Sequence, residues 1–287
     1  MKTGLVLEGG AMRGIFSAGI MDVLMEGGIW FDGAVGTSAG AAFGCNFKSR
    51  QIGRVIRYNK KFCRDPRYAS LRSWVMTGDL FNARFSYEEL PQRLDPFDVE
   101  TFRRSPMEFY AVCTDVRTGK AVYHQCEDGG ADDIAWIRAS ASMPLASRVV
   151  NLQGQLLSDG GTADSIPIRF FQQLGYDRCV VILTQPLGFV KRRSRLMPIL
   201  ALALRKYPAL VRALKERPEA YNLVTKFIRE QELAGKLLVF RPDAPLGIGA
   251  VVRDPNELER VYQLGRNAAL RRLEEVKAFL TKKKSLS

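Results

Sequence analysis

Gly36-Thr37-Ser38-Ala39-Gly40 fits the pattern Gly-x-Ser-x-Gly. A nucleophilic serine on a sharp strand-to-helix turn needs small neighbours, because a Cβ on either flank collides with adjacent backbone. Such a turn exposes the Ser38 hydroxyl and sets it at a helix N-terminus, whose partial positive charge favours a developing anion. A tetrahedral intermediate also needs donors for its oxyanion, each worth roughly 3 kcal/mol of barrier. Gly9-Gly10-Ala11-Met12-Arg13-Gly14 can supply them as backbone N–H groups in a loop. A phosphate-binding loop would need Lys and Ser or Thr straight after Gly14, where Ile15-Phe16 stand, and Ala11 breaks the dinucleotide pattern G-x-G-x-x-G.

The base is constrained by the single histidine. A Ser-His-Asp triad must use His124, yet the α/β-hydrolase order ends in histidine and no histidine follows Asp159. His124 therefore reads as structural, and a carboxylate is left as the base. Asp159 is the best placed, since it follows an apolar hairpin and precedes Gly160-Gly161, which let the backbone pass close to another segment. Each of the three segments also has a plainer reading as a packing turn.

Apolar spacing supplies the elements that must position these residues. Thr3–Leu7 reads as a buried strand running into the glycine loop, and 14–25 as a helix stopped by Gly27-Gly28. Residues 30–35 read as a strand that breaks at the Ser38 pentapeptide into a helix over 41–47. Strands are expected at 107–114 and 121–124, a helix at 132–142 and a hairpin at 149–157 around Gly154. The continuous apolar run 179–184 suits a central parallel strand. This strand–helix alternation predicts a largely parallel sheet wrapped by helices. Beyond Gln185-Pro186 the pattern gives helices over 196–214, 219–233 and 254–282, with a strand at 236–241. Asp254, Pro255 and Glu257 form a start signal for the last helix.

Of the 287 residues, 46% are apolar and 25% charged, which excludes a disordered chain. The five cysteines are widely spaced, without C-x-x-C, so neither a zinc site nor a disulfide scaffold is expected. Net charge is +13, and residues 187–287 hold 22 basic and 10 acidic side chains, or +12 of it. A second excess, nine basic residues and one acid, runs from Lys48 to Arg72. Anionic lipid headgroups or plain solvent can face such surfaces; no nucleic-acid signature accompanies them, so that partner is not expected. Leu200, Leu202, Leu204, Leu210 and Leu214 beside Arg205, Lys206, Arg212 and Lys215 could form an amphipathic surface against anionic lipid, or a core-facing helix. The N-terminal apolar run is too short and too acidic for a signal peptide. The longest apolar stretch, Leu196–Leu204, has nine residues and contains Pro198, about half a membrane span. The expected location is cytoplasmic, with peripheral contact at the inner membrane face.

Three spaced motifs in this order, Gly9–Gly14, Gly36–Gly40 and Asp159-Gly160-Gly161, resemble the patatin-like phospholipase family. The resemblance covers about residues 3–186 and takes in 139–144 before the acid and Ile166-Pro167 after it. It implies a three-layer α/β/α sandwich over 1–186, with a basic, mainly helical extension over 187–287. By the same likeness Ser38 is the nucleophile, Asp159 its base, and the N–H groups of Gly9, Gly10, Ala11, Met12, Arg13 and Gly14 the oxyanion hole, with no metal or organic cofactor. The chemistry implied is hydrolysis of a lipid acyl ester, phospholipid or lysophospholipid, through an acyl-enzyme. A soluble esterase or thioesterase, or a basic binding protein with little turnover, are the alternatives. Two positions depart from the family: Ala11 stands for a glycine, and Asp164 for an asparagine.

Overall fold

The computed structural model of the chain describes residues 1–281, so Lys282, the last residue of the expected C-terminal helix, lies outside the described residues. The chain opens with β1 (Lys2–Leu7), a short 3₁₀ turn at Ala11–Arg13 and α1 (Gly14–Glu26). Next, β2 (Gly33–Thr37) runs directly into α2 (Ala39–Lys48). An excursion follows through α3 (Arg54–Phe62), α4 (Leu71–Thr77), a π-helical stretch Phe85–Leu94 and α5 (Val99–Arg104). The chain returns to the sheet as β3 (Glu108–Asp115) and β4 (Ala121–Cys126), then α6 (Ala131–Ser140), β5 (Val150–Leu152), β6 (Gln155–Asp159), α7 (Ile168–Gln173) and β7 (Tyr176–Ile182). The last part holds α8 (Met197–Ala203), α9 (Pro208–Leu233), β8 (Leu237–Phe240), α10 (Pro255–Leu270) and α11 (Leu273–Thr281).

The eight strands among the described residues join one sheet, in the order β5-β6-β3-β2-β1-β7-β8, with β4 along β3. The central pairings β3-β2-β1-β7-β8 are parallel, and β4 and β6 run antiparallel to β3. Side chains alternate across a strand, so β1 feeds two cores. Leu5 and Leu7 pack with Ile15, Phe16 and Ile20 of α1 and Val261 of α10, whereas Val6 packs with Phe171 of α7 and Ile228 of α9. Helices thus cover both faces in a three-layer α/β/α arrangement, and this is why β7 is apolar at consecutive positions.

The C-terminal third is built into these layers. Strand β8 extends the sheet beside β7. Helix α10 lies so close on α1 that a Cβ on Gly265 would stand 2.0 Å from the Phe16 carbonyl oxygen.

One expectation needs correction. The sequence pattern ends one helix at 214 and begins the next at 219, but α9 runs unbroken from Pro208 to Leu233 with Pro218 inside it. An interior proline gives up one backbone hydrogen bond; burial of Leu210, Tyr221 and Ile228 on either side of Pro218 offsets that loss. The break falls instead before Pro208, at the first position, where proline is favoured. Of the two readings of the leucines over 200–214, the core-facing one holds for most: Leu204 and Leu210 are buried against Val116, Leu200 and Leu214 pack onto them, and Leu202 is 66% exposed.

The basic excess of 48–72 is also partly internal. Buried Lys48 donates to the Cys126 and Glu127 carbonyls at 3.2 and 3.4 Å. Buried Arg54 donates to Asn46 Oδ1 at 2.8 Å and the Asp95 carbonyl at 2.6 Å. Both cations are used within the fold.

Candidate active site

One edge of β3 brings Ser38 and Asp159 together. Thr37, the last residue of β2, pairs with Val112, and Asp159, the last residue of β6, pairs with the next residue, Cys113. Because β4 occupies the other edge of β3, the two strands meet end to end. Ser38 follows Thr37 directly, and its Oγ donates to Asp159 Oδ2 at 2.6 Å.

The approach is close enough to dictate glycine. A Cβ on Gly160 would stand 2.0 Å from the Val112 carbonyl oxygen, and one on Gly40 2.5 Å from that of Leu7. Ser38 itself has φ 56°, a left-handed conformation that costs a non-glycine residue about 1–3 kcal/mol. The α6 C-terminus holds both partners. Ser140 Oγ accepts the Ser38 N–H at 2.9 Å and donates to the Val112 carbonyl at 2.5 Å, while the Ser142 carbonyl accepts the Asp159 N–H at 2.8 Å.

Burial raises the Asp159 carboxyl above its ordinary value; the Ser38 hydrogen bond, the Arg217 charge and the Gly161 N–H oppose that rise. Gly161 N donates to Oδ1 at 2.7 Å. Both oxygens are thus oriented, one of them toward the serine hydroxyl.

The loop 9–14 closes over Ser38 from β1. Three of its N–H groups are committed: Gly9 to the Ser165 carbonyl at 3.3 Å, Arg13 to that of Gly10 at 3.1 Å, and Gly14 to Ala11 and Met12. Gly10, Ala11 and Met12 form the part of the loop left for a ligand. Ala11 has φ 47°, so the backbone asks here for the glycine that the family carries. The other departure, Asp164, uses Oδ2 to accept the Tyr123 hydroxyl at 2.9 Å and Oδ1 to accept the Ile166 N–H at 3.2 Å.

A largely apolar cleft opens from Ser38 beneath the excursion 53–104, lined by Met12, Phe43, Tyr58, Tyr87, Leu90 and Ile137 among others. Sequence reading assigned no element to that excursion and missed its lining residues Tyr58, Tyr87 and Leu90, as well as the bonding role of Ser140 and the Arg217 charge on Asp159. The alternation of Ala and Ser over 139–142 was the available signal for Ser140; nothing in the sequence ties Arg217 to position 159.

His124 is held elsewhere. Its Nε2 lies 3.0 Å from Asp133 Oδ1 and its ring stacks on Trp136 at 4.3 Å between centroids. His124, Cys126 and Asp133 offer potential metal-ligand atoms within 4.8 Å of one another. However, Asp133 Oδ2 already accepts the Asp128 and Gly129 N–H groups at 2.9 and 2.8 Å, and burial keeps the Cys126 thiol protonated by raising it well above its usual value. The group is a structural cluster.

Known proteins are similar to this chain. A profile described as patatin-like phospholipase matches residues 5–171, more than half of the chain, and one described as a domain of unknown function matches 207–281. The uncharacterized protein YjjU of Escherichia coli (strain K12) is 30% identical over 305 aligned positions, spanning 100% of this chain and 81% of its own. Lysophospholipase NTE1 of Chaetomium globosum is 30% identical over 186 positions, covering 61% of this chain but 11% of that much longer protein. The solved structure of VipD from Legionella pneumophila aligns with a TM-score of 0.46 and 12% identity over 96% of this chain and 67% of its own. The family match spans all three motifs and stops before the C-terminal third, and the chain belongs to the patatin-like phospholipase family, carrying that family's lipid ester hydrolase domain.

Proposed function

We propose that the protein hydrolyses an acyl ester of a lipid through a Ser38 acyl-enzyme, with Asp159 as the only general base. The observation that carries this reading is the 2.6 Å contact from Ser38 Oγ to Asp159 Oδ2, with no imidazole between them. Asp159 takes the hydroxyl proton as Oγ attacks the ester carbonyl carbon. The oxyanion forms against the backbone N–H groups of Gly10, Ala11 and Met12. As the carbon–oxygen bond to the leaving alcohol breaks, Asp159 returns the proton to that alcohol. A water molecule then attacks the acyl-enzyme, gives its proton to Asp159, and the fatty acid leaves as Ser38 recovers the proton.

Burial favours this scheme, because a carboxylate raised above its ordinary value is a stronger base. The apolar cleft suits an acyl chain. Lysophospholipid is the leading substrate: the family and the lysophospholipases similar to residues in this domain both support it. No helix among the described residues is long and apolar enough to cross a membrane. Peripheral docking on an anionic bilayer is supported by exposed Ile199 and Leu202 on α8, beside Arg205 and Lys206.

Labelling by a fluorophosphonate probe tests the nucleophile: wild type is labelled and Ser38→Ala is not. Turnover of micellar lysophospholipid well above that of short nitrophenyl esters supports the lipid substrate. The reverse preference replaces it with a small soluble ester.

A further inference from the structure

Beside the loop 9–14, outside the lining of the apolar cleft, lies a group of three cations that carry none of the proton transfers of the hydrolytic scheme. Its floor is Glu8, buried at the end of β1. Glu8 Oε1 accepts the Tyr221 hydroxyl at 2.7 Å and Oε2 the Thr184 N–H at 2.5 Å, so both oxygens are occupied. Around it gather Arg13 of the loop, Lys191 of the segment after β7, and Arg217 of α9. Lys191 Nζ stands 4.3 Å from the centre of the Tyr221 ring. The Lys191 backbone is clamped to α9, its N–H donating to Asn222 Oδ1 at 2.8 Å and its carbonyl accepting from Asn222 Nδ2 at 3.0 Å. Arg217 lies over the acid turn: a Cβ built on Gly161 would stand 3.1 Å from Arg217 Nη2 and 2.9 Å from Asp159 Oδ1.

These cations are short of partners. The Nε atoms of Arg13 and Arg217 are buried with no hydrogen-bond partner among the described residues. None of the three cations forms an ion pair among the described residues. Burial beside Arg217 and Arg13 lowers the Lys191 ammonium to about 8 against the pull of Glu8. Three crowded, partly desolvated cations with unused donors match a polyvalent anion, since charge-assisted hydrogen bonds to a phosphate are the strong ones.

We propose that Arg13, Lys191 and Arg217 seat a phosphoryl group of the substrate, so that the acyl chain fills the cleft under 53–104 and the phosphate lies under α9. This rests on Ser38 being the nucleophile, and it gives the C-terminal segment a share in substrate selection. What it adds to the lysophospholipid already proposed is the set of side chains that would select it over a neutral glycerolipid.

The test compares lysophosphatidic acid with a monoacylglycerol of the same chain length. Wild type turns over the phosphorylated ester with kcat/KM at least tenfold higher, and glycerol 3-phosphate competes with both. Lys191→Gln and Arg217→Gln each lower the ratio of the two kcat/KM values by roughly tenfold, the equivalent of about 1.4 kcal/mol. Arg217 packs against the acid turn, so Lys191→Gln decides the matter if the other variant fails to fold. A ratio unchanged in a Lys191→Gln protein of native melting temperature overturns the proposal. So does inhibition by inorganic phosphate that is non-competitive with an unchanged ratio, which assigns the cluster to free phosphate. If wild type hydrolyses neither ester, the reading of Ser38 fails, and calorimetric titration of inorganic phosphate still judges the seat. Binding lost in Lys191→Gln upholds it, and absence of binding by wild type removes it.

Discussion

The backbone N–H of Ser38 is held by the side chain of Ser140, at 2.9 Å, so the elbow is fixed from α6 as well as by its own glycines. Ser140 is wholly buried, and its Oγ also bonds the Val112 carbonyl. Ser140→Ala leaves a buried N–H and a buried carbonyl unpartnered, a loss of about 1–3 kcal/mol for each unsatisfied group. Because Ser140 touches the backbone of Ser38 and not the ester, the change should lower kcat about tenfold with KM nearly constant. Steady-state kinetics with a melting curve checks this; a rise in KM at constant kcat assigns Ser140 to substrate binding instead.

Asp159 carries opposite consequences for activity and stability. With Asp159 as the base proposed above, its raised pKa means that the base is lost by protonation at a higher pH than for an ordinary carboxylate, so kcat/KM should fall as pH is lowered through that value. For stability the sign reverses. A carboxyl raised on folding contributes stability fully present below its unfolded value of 3.8, and that contribution is lost as pH rises through the folded value. At neutral pH Asp159→Asn should therefore be inactive yet melt no lower than wild type. Ser38→Ala should be equally inactive, and the double variant no worse, as for residues acting as one unit. Additive losses, measured as kcat/KM on one ester, would break the scheme.

Much of this site is written locally. Apolar runs ended by Gly9-Gly10, by Gly36 and by Asp159-Gly160 mark the three strand ends, and Gly9, Gly36 and Gly160 are demanded there by backbone contact. What brings Asp159 next to Ser38 is not local: it is the shared edge of β3, where Thr37 and Asp159 take successive partners. The cleft wall was illegible for another reason. Helix α3 reads as a basic run, since its lysines and arginines match its apolar anchors in number, and the π-helical stretch contains Pro91. The inward turn of Leu204 and Leu210 likewise depends on Val116, nearly a hundred residues away in sequence.

His124 should matter for folding and little for turnover. Its bond to Asp133 and its stacking on Trp136 tie β4 to α6, whose far end holds Ser38. His124→Ala is expected to change kcat/KM by less than about tenfold, below the 10²–10⁴ typical of a lost general base. It should also lower the melting temperature. A loss of several hundredfold in a protein that melts like wild type would return the imidazole to the mechanism.

Asp22 joins the C-terminal layer to the catalytic one. Its Oδ2 accepts the Tyr262 hydroxyl of α10 at 2.7 Å and the Gly53 N–H before α3 at 3.0 Å. Burial raises its carboxyl to about 6 from 3.8, outweighing those two bonds, with Glu26 adding to the rise and Arg266 opposing it. Below 3.8 the neutral acid is bound in both folded and unfolded chains and carries no penalty. As pH climbs through about 6 the folded chain must ionise a buried group, and stability falls by about 3 kcal/mol at most. Glu8, Asp159 and Asp164 are raised by burial too and slope the same way, so the wild-type curve alone does not isolate Asp22. Asp22→Asn does, because asparagine keeps an acceptor for Tyr262 and Gly53 without a charge. Urea unfolding at pH 4 and pH 7 should show the variant losing clearly less stability than wild type between the two. An identical loss in both proteins would mean that Asp22 stays ionised and well solvated, and that α10 is held to α1 by the Gly265 contact rather than by this carboxyl.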